Sequence, residues 1–250
     1  MNLKKISVSL ITLVSCSLTA CSNNQILQPT IDQGNVNISS KELSAQDIMN
    51  QASMAYSKLN DFTATVAVTD AKDGNQSTAN IGESKFFFKK ERNERVETTK
   101  GNDAQKVGSI LVYKGGSKVD ILLAKPIFIL GRRFTLDVGD KKIATSRGLA
   151  FNQLDLTSML ARFNKSGAVL SILPTSTLRG RNIIKISGKG TFKDIDSGIT
   201  EEILSLDSET MLPVQDESFV QSKSVLKINV SDLKINVGLK DDVFVLPDSK

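Results

Sequence analysis

Histidine and tryptophan are absent from this 250-residue sequence, which also contains only two cysteines and two tyrosines. Histidine is the usual zinc ligand and the usual general base for serine and cysteine nucleophiles. Its absence disfavours most hydrolase and metalloenzyme mechanisms, although carboxylate, lysine or tyrosine chemistry stays open. The scarcity of aromatic residues also argues against the stacking platforms of sugar and nucleic-acid sites. We therefore expect a non-enzymatic binding protein without metal or cofactor.

The N-terminus has the layout of a bacterial export signal. Two lysines precede the apolar stretch 6–18, which is too short to span a bilayer. The end of this stretch, Leu18-Thr19-Ala20-Cys21, resembles the lipobox, in which the signal is cut before a cysteine that then carries a diacylglycerol thioether. Residues 1–20 are therefore predicted to be a lipoprotein signal peptide, with Cys21 as the lipidated residue. The alternative is an ordinary signal peptide cut at the same bond, which would leave Cys21 as a free thiol.

Cleavage before Cys21 would leave the mature chain without a disulfide or a free thiol. Cys16 leaves with the signal peptide, and lipid occupies the thiol of Cys21. The two lysines of the signal leave as well, which lowers the net charge from +5 to roughly +3. Such a small and dispersed surplus does not indicate nucleic-acid binding.

The residue after the predicted lipidated cysteine indicates a destination. Ser22 resembles the signal for delivery to the outer membrane of bacteria with two membranes, where the protein would face the periplasm. In a host with one membrane, the same anchor would place it on the cell surface. Several acyl chains hold a protein firmly, because each buried methylene contributes about 0.8 kcal/mol. Residues 21–43, rich in Asn, Gln, Ser and Thr, would then be the lipid anchor and a flexible tether.

Residues 44–250 are predicted to form one domain that begins with a helix. Ser44 is a suitable N-cap with Asp47 three residues later, and apolar residues then recur at helical spacing. A second helix is predicted over 154–163, with Asp155 or Asn152 as its cap. The rest of the domain alternates between apolar and polar residues in short runs separated by turn residues, which predicts an antiparallel sheet of about 10–11 strands. The runs are 64–69, 85–92, 95–99, 107–113, 118–123, 134–138, 168–173, 182–187, 199–206, 214–221 and 226–237.

The predicted sheet is too wide for the predicted helices to cover it. Strands lie about 4.8 Å apart and a helix is about 10 Å across, so two helices cannot hide one face of so many flat strands. The sheet must curl into an unclosed barrel, an α+β fold in which a few helices cover an apolar cavity suited to acyl chains. For each residue taken singly, plain core packing is the alternative. The alternation predicts these cavity-lining candidates: Val66, Val68, Phe86, Phe88, Ile110, Val112, Ile121, Leu123, Ile184, Ile186, Leu226, Ile228 and Val230.

Several segments share the order and anchors of a known family. They are Tyr56-Ser57-Lys58-Leu59-Asn60-Asp61-Phe62, the segment 82–90 running on to Arg95, and Leu206-Asp207-Ser208-Glu209-Thr210-Met211-Leu212-Pro213-Val214. The C-terminal stretches 235–238 and 242–247, the second with a Phe-x-x-Pro segment, complete the pattern. Together they resemble the outer-membrane lipoprotein-sorting superfamily, which comprises LolA/LolB-like carriers and receptors and related lipid-binding lipoproteins. The resemblance covers nearly all of residues 44–250.

The resemblance implies an unclosed antiparallel barrel that is capped by helices and holds acyl chains in a hydrophobic cavity. The carriers usually have Arg-Pro where this chain has Lys90-Glu91, so Lys90 would replace the basic latch that holds the carrier's lid closed. Lys90 and Arg95 are thus the candidate latch or head-group residues at the cavity mouth. The alternative for the mixed-charge run 89–97 is a solvated face with weak surface ion pairs.

Two functional hypotheses from different classes follow. In the first, a lipid-anchored envelope protein binds acyl chains of a lipoprotein or lipid for transfer or presentation at a membrane. In the second, a regulatory or structural envelope lipoprotein without lipid cargo binds another envelope protein. The adjacent carboxylates Glu201 and Glu202 do not indicate an acid/base pair, because neighbouring residues of a strand point to opposite faces.

Overall fold

The computed structural model describes residues 43–127, 131–165 and 167–248. The predicted signal peptide 1–20, the lipidation site Cys21 and the tether up to residue 42 lie outside these residues. Neither of the two described helices has the length and apolar character that crossing a membrane requires.

The described residues form two α-helices, eleven β-strands and three short 3-10 turns. The helices are α1 (Ala45–Ser57) and α2 (Leu156–Phe163). The strands are β1 (Asp61–Asp70), β2 (Asn80–Lys89), β3 (Asn93–Gly101), β4 (Ile110–Lys114), β5 (Lys118–Ile127), β6 (Gly131–Asp137), β7 (Val169–Leu178), β8 (Arg181–Lys189), β9 (Glu201–Asp207), β10 (Pro213–Val220) and β11 (Lys223–Ile235). The 3-10 turns are Gln76–Thr78, Phe151–Gln153 and Asp241–Phe244.

All eleven strands belong to one antiparallel sheet in the order β6-β5-β4-β3-β2-β1-β11-β10-β9-β8-β7. Every pair of neighbours is consecutive in sequence except β1 and β11, which join the two ends of the domain. Within the described ranges, β6 and β7 pair on one side only, so the barrel is not closed. The predicted fold class is therefore confirmed: α+β, with a large unclosed antiparallel sheet and few helices.

Both helices begin at the predicted caps. The Ser44 hydroxyl accepts a hydrogen bond from the Asp47 amide at 3.1 Å, and the Asp47 carboxylate accepts one from the Ser44 amide at 3.1 Å. This reciprocal pair is a capping box. At α2, the Asp155 carboxylate accepts a hydrogen bond from the Ser158 amide at 2.6 Å. Local sequence chemistry thus determines where each helix starts.

Both helices pack on the same face of the sheet, which we call the inner face. Apolar side chains of α1 and α2 contact strands β8 and β9, and a larger cluster fills the centre of the inner face over β1, β2 and β11. The first cluster contains Ile48, Met49, Ala52, Leu160, Phe163, Ile186, Leu204 and Leu206. The central cluster includes Phe62, Phe88, Leu156, Met159, Leu226, Ile228 and Val230.

The opposite, outer face is covered in one region by the C-terminal segment. Phe244 and Leu246 are buried against Val112 of β4 and Leu122 of β5. The Arg95 guanidinium donates to the carbonyl oxygens of Val243 and Val245 at 3.0 and 3.1 Å, and so holds the segment down. The Phe-x-x-Pro segment therefore covers apolar residues on the outer face of the sheet.

Candidate functional site

The structure brings most of the predicted cavity residues to the inner face. Phe88, Leu226 and Ile228 are buried in the central cluster, and Val66, Val68 and Phe86 pack against it. Ile184 and Ile186 lie under the helices. Ile121 and Leu123 belong to a neighbouring cluster that Tyr113 and Phe151 complete. Cross-strand pairs such as Leu111 with Ile121 and Val96 with Leu111 place this neighbouring cluster on the same face.

Ile110 and Val112 are placed on the outer face. They belong to the cluster beneath the C-terminal segment, together with Leu122 and Phe244. The inner face of β4 is formed instead by Leu111 and Tyr113. Because the first four of the five residues of β4 are apolar, alternation could not tell which two point inward.

A cavity of about 330 Å³ lies at one end of the inner face. We call it the end cavity. It is bounded by the end of β1, the start of β2, the end of β3 and the segment 141–146 that follows β6. Its apolar walls are Val68, Ile81, Ile143, Ala144 and Leu154. Val68 and Leu154 also pack against the central cluster, so the cavity is continuous with the edge of the apolar core.

Charged side chains surround the end cavity. Four lysines and two aspartates line it: Lys100, Lys106, Lys141, Lys142, Asp70 and Asp103. The Asp70 carboxylate accepts hydrogen bonds from the backbone amide and the hydroxyl of Ser146, which fixes the segment 141–146 to the end of β1. The cavity thus combines an apolar floor with a basic rim.

An ionic network holds the N-terminal end of α2, and we call it the N-terminal network. The Arg92 guanidinium forms an ion pair with Asp155, the N-cap of α2, and donates to the Asn152 carbonyl at 2.8 Å. Arg92 also lies 5.6 Å from the centre of the Tyr113 ring. Glu94 of β3 is buried beside this pair, and burial, followed by the Asp155 charge, raises the pKa of Glu94 to about 9. Glu94 is therefore neutral at pH 7, and the network is balanced in charge.

A second network holds the C-terminal end of α2, and we call it the C-terminal network. Arg162 forms an ion pair with Glu202 of β9, donates to the Gln153 carbonyl at 2.6 Å, and lies 4.5 Å from the centre of the Phe192 ring. Asp216 of β10 is 3.6 Å from the same guanidinium. Burial, and then the neighbouring Glu202, raises the pKa of Asp216 well above its ordinary value. Burial therefore favours the protonated form of Asp216, while Glu202 pairs with Arg162.

A third contact at α2 comes from α1. The Tyr56 hydroxyl and the Thr157 hydroxyl are 2.6 Å apart. The Tyr56 ring lies 5.9 Å from the Phe88 ring, and burial raises the pKa of Tyr56 to about 12. The tyrosine of the first family-like segment therefore joins α1, α2 and the central cluster.

The two predicted latch residues lie away from the end cavity. Lys90 is exposed, and its ammonium donates to the carbonyl oxygen of Ser57, the last residue of α1, at 2.9 Å. A cation at this position complements the helix dipole. Arg95 lies on the outer face, where it binds the C-terminal segment. Arg92, in the turn between β2 and β3 with a φ of +63°, fastens the N-terminal end of α2 over the inner face.

The buried networks were not predicted from the sequence, although the pattern held a signal for them. The alternative of a solvated face for the run 89–97 does not fit Glu94, which is 1% exposed. Glu202, Leu204 and Leu206 follow one another at the spacing of a single strand face, and Glu202 is fully buried. A carboxylate in register with inward apolar residues indicates a buried pair that needs a cation. Glu201 instead accepts a hydrogen bond from the Ser187 hydroxyl, so the two adjacent carboxylates have different partners.

Known proteins match this chain in fold and not in sequence. The sequence matches no protein-family model and no curated protein. The chain is similar to the crystal structure of an uncharacterized conserved protein from Thermus thermophilus, with a TM-score of 0.51 and 13% identity over 81% of this chain and 94% of that one.

Two further solved structures are also similar to this chain. One is the lipoprotein LppX of Mycobacterium tuberculosis, with a TM-score of 0.48 and 14% identity over 78% of this chain and 97% of that one. The other is a LolA superfamily protein from Nitrosomonas europaea, with a TM-score of 0.41 and 13% identity over 82% of this chain and 98% of that one. At these identities the likeness concerns the fold alone.

Proposed function

We propose that this protein binds the acyl chain of a lipid or lipoprotein in the end cavity, without chemical conversion, while a lipid anchor holds it in the cell envelope. The observation that carries the proposal is the continuity between the end cavity and the apolar core, since Val68 and Leu154 belong to both. An apolar chain that enters there continues to meet apolar surface. The lipobox-like N-terminus and the family-like segments support the same function.

The size of the end cavity suits a single slender chain. Its volume of about 330 Å³ is near the lower end of the range for ligand pockets, roughly 300–1,000 Å³. Each methylene moved from water to the apolar wall contributes about 0.8 kcal/mol. Part of this gain is offset by the translational and rotational freedom that the ligand loses.

Helix α2 would be the movable cover of the ligand. Leu154 lines the cavity and directly precedes the N-cap Asp155, so an outward shift of this end of α2 enlarges the cavity. Arg92, which holds this end, has a side chain that is 33% exposed, whereas Arg162 at the other end is 9% exposed. Uptake and release would follow from the different affinities of the shifted and unshifted arrangements for the acyl chain.

A substitution that fills the cavity tests the proposal. Val68→Trp places an indole on the cavity floor, and we expect it to weaken binding of a fluorescent fatty acid to the full chain by at least about tenfold. The matched control is Val169→Trp, because Val169 is 68% exposed on the edge strand β7 and lies outside the cavity lining. Equal binding by both variants, or no binding by the unaltered protein, would rule out this site.

A second candidate function is an envelope interaction protein without lipid cargo. The observation that favours it is the degree to which packed side chains and the two ionic networks fill the inner face. The edge strand β7 also exposes Val169 and Ile172, at 68% and 45%. Such a protein would bind no acyl probe, so the same titration distinguishes the two functions.

A further inference from the structure

The lysines at the rim of the end cavity bear on the charge of the ligand that the cavity binds. We infer that Lys141 and Lys142 form a subsite for an anionic head group, so that the ligand is a single-chain amphiphile with a carboxylate or phosphate ester at its end. This inference rests on the proposed acyl-chain binding and narrows its ligand class.

The four rim lysines differ in whether they already have a partner. Lys100 pairs with Glu83 at 2.8 Å, and Lys106 pairs with Asp103 at 3.6 Å. Among the residues that the structure describes, no carboxylate lies within ion-pair distance of the Lys141 or Lys142 ammonium. Both side chains are exposed, so neither bears a desolvation cost in the absence of a ligand. Two cations at the cavity are therefore available to an anion.

The two nearby carboxylates already accept hydrogen bonds from other groups. Asp70 directs both of its oxygens to Ser146, and an oxygen of Asp140 accepts the backbone amide of Lys142 at 2.9 Å. Of the lining lysines, Lys100 and Lys106 pair with carboxylates, which leaves Lys141 and Lys142 as the two that an anion can approach. Their ammonium groups attract an anion more than a neutral or cationic group.

The order of polar and apolar walls fixes the orientation of the ligand. Val68 and Leu154 are half-buried and touch the central cluster, whereas Lys141 and Lys142 are exposed. Ile143 and Ala144 follow the two lysines directly and line the same cavity. A chain that points inward along Ile143 therefore leaves its head group beside the two ammonium groups.

The test compares amphiphiles that share one chain and differ in the head group. Dodecanoate, dodecyl phosphate and dodecanol are titrated calorimetrically into the full chain, and inorganic phosphate alone serves as the free anion. We expect both anionic amphiphiles to bind about 3- to 10-fold more tightly than dodecanol, the range for two exposed ion pairs. The preference should shrink at high salt because exposed charges are screened.

Charge variants test whether Lys141 and Lys142 cause the preference for anionic amphiphiles. Lys141→Ala/Lys142→Ala should bind all three amphiphiles with the affinity of dodecanol, and Lys141→Glu/Lys142→Glu should bind the anions more weakly than dodecanol. The matched control Lys234→Ala/Lys240→Ala removes the same charge from exposed lysines outside the cavity lining and should keep the preference.

The outcomes separate this inference from the proposed function. Binding of dodecanol and the anions with equal affinity, or an unchanged preference in Lys141→Ala/Lys142→Ala, would overturn the head-group subsite while acyl binding stands. Binding of inorganic phosphate as tightly as dodecyl phosphate would show a free-anion site and would also overturn it. Absence of binding by every amphiphile would remove the proposed function, and the subsite with it.

Discussion

An ion pair between an arginine and a carboxylate holds each end of α2, but the helix and the sheet exchange the two partners. At the N-terminal end, an arginine of the sheet, Arg92, binds an acid of the helix, Asp155. At the C-terminal end, an arginine of the helix, Arg162, binds an acid of the sheet, Glu202. Each helical charge has the sign that the helix dipole favours at its own end. Each network also contains a carboxyl whose pKa is raised by burial, Glu94 in one and Asp216 in the other.

The two ends differ in burial, and this difference suggests how α2 moves. Glu202 is fully buried, and Arg162 is nearly so, whereas the Arg92 side chain is one-third exposed. Water can replace part of the hydrogen bonding that Arg92 provides, but it cannot reach Glu202. The C-terminal end is therefore the fixed point of α2, and the N-terminal end, next to the end cavity, is the one that can release.

Loss of Arg162 should have the largest effect on stability. Arg162→Met leaves Glu202 buried without a cation, and we expect the free energy of unfolding to fall by about 3–5 kcal/mol. Urea unfolding of the full chain measures this loss. Arg162→Met/Glu202→Gln removes the orphaned charge and should recover part of it. A loss below about 1 kcal/mol for Arg162→Met would mean that the C-terminal end is not the anchor.

Loss of Arg92 should lower the free energy of unfolding less than loss of Arg162, and its effect should be confined to one end of α2. We expect Arg92→Met to lower the free energy of unfolding by about 1–3 kcal/mol, because Asp155 keeps its hydrogen bond from the Ser158 amide. Hydrogen exchange should become faster at the N-terminal end of α2 while amides near Arg162 keep their protection. If Arg92→Met destabilised the protein as much as Arg162→Met, the proposed difference between the two ends would be wrong.

The contact between α1 and α2 should contribute less to the free energy of unfolding than Arg92 does. Tyr56→Phe removes the hydrogen bond between the Tyr56 and Thr157 hydroxyls, and we expect a loss of about 1 kcal/mol. Thr157→Val removes the other partner. In a double-mutant cycle measured by urea unfolding, the two changes should be less than additive. Fully additive losses would show that the two hydroxyls do not interact.

The smallest effect should come from Glu94→Gln at acid pH, because Glu94 is then uncharged in both the folded and the unfolded protein. Its pKa is raised from 4.5 to about 9, so the folded state binds more protons than the unfolded state between these values. Stability from this group is present below pH 4.5 and is lost as the pH rises towards 9. Urea unfolding across this window should show a shallower decline for Glu94→Gln than for the unaltered protein. An unchanged slope would indicate that Glu94 is ionised in the folded state.

Local chemistry was sufficient to predict the elements of this fold. The capping residues Ser44 and Asp155 start the two helices, and each of the eleven alternating runs overlaps one strand of the sheet. The scarcity of helices relative to strands indicated the unclosed barrel. These features depend on neighbouring residues and on element counts, which the sequence contains directly.

Features that depend on distant pairing could not be predicted in the same way. Ile110 and Val112 face outward because Phe244 and Leu246 return to cover β4, more than a hundred residues later in the chain. Arg92 meets Asp155 only because folding brings the turn between β2 and β3 to the N-terminal end of α2. The partners of Lys90 and Arg95 could not be predicted for the same reason, because they are the end of α1 and the C-terminal segment.

Native mass spectrometry of the full chain tests the central claim most directly. After gentle extraction, we predict a non-covalent adduct with the mass of one single-chain lipid on the unaltered protein and on Val169→Trp, and its loss from Val68→Trp. Collisional activation should release this adduct, which separates it from a covalent lipid on Cys21. The contrary result is an absence of adduct on all three proteins, or an equal adduct on Val68→Trp, and either would contradict acyl-chain binding in the end cavity.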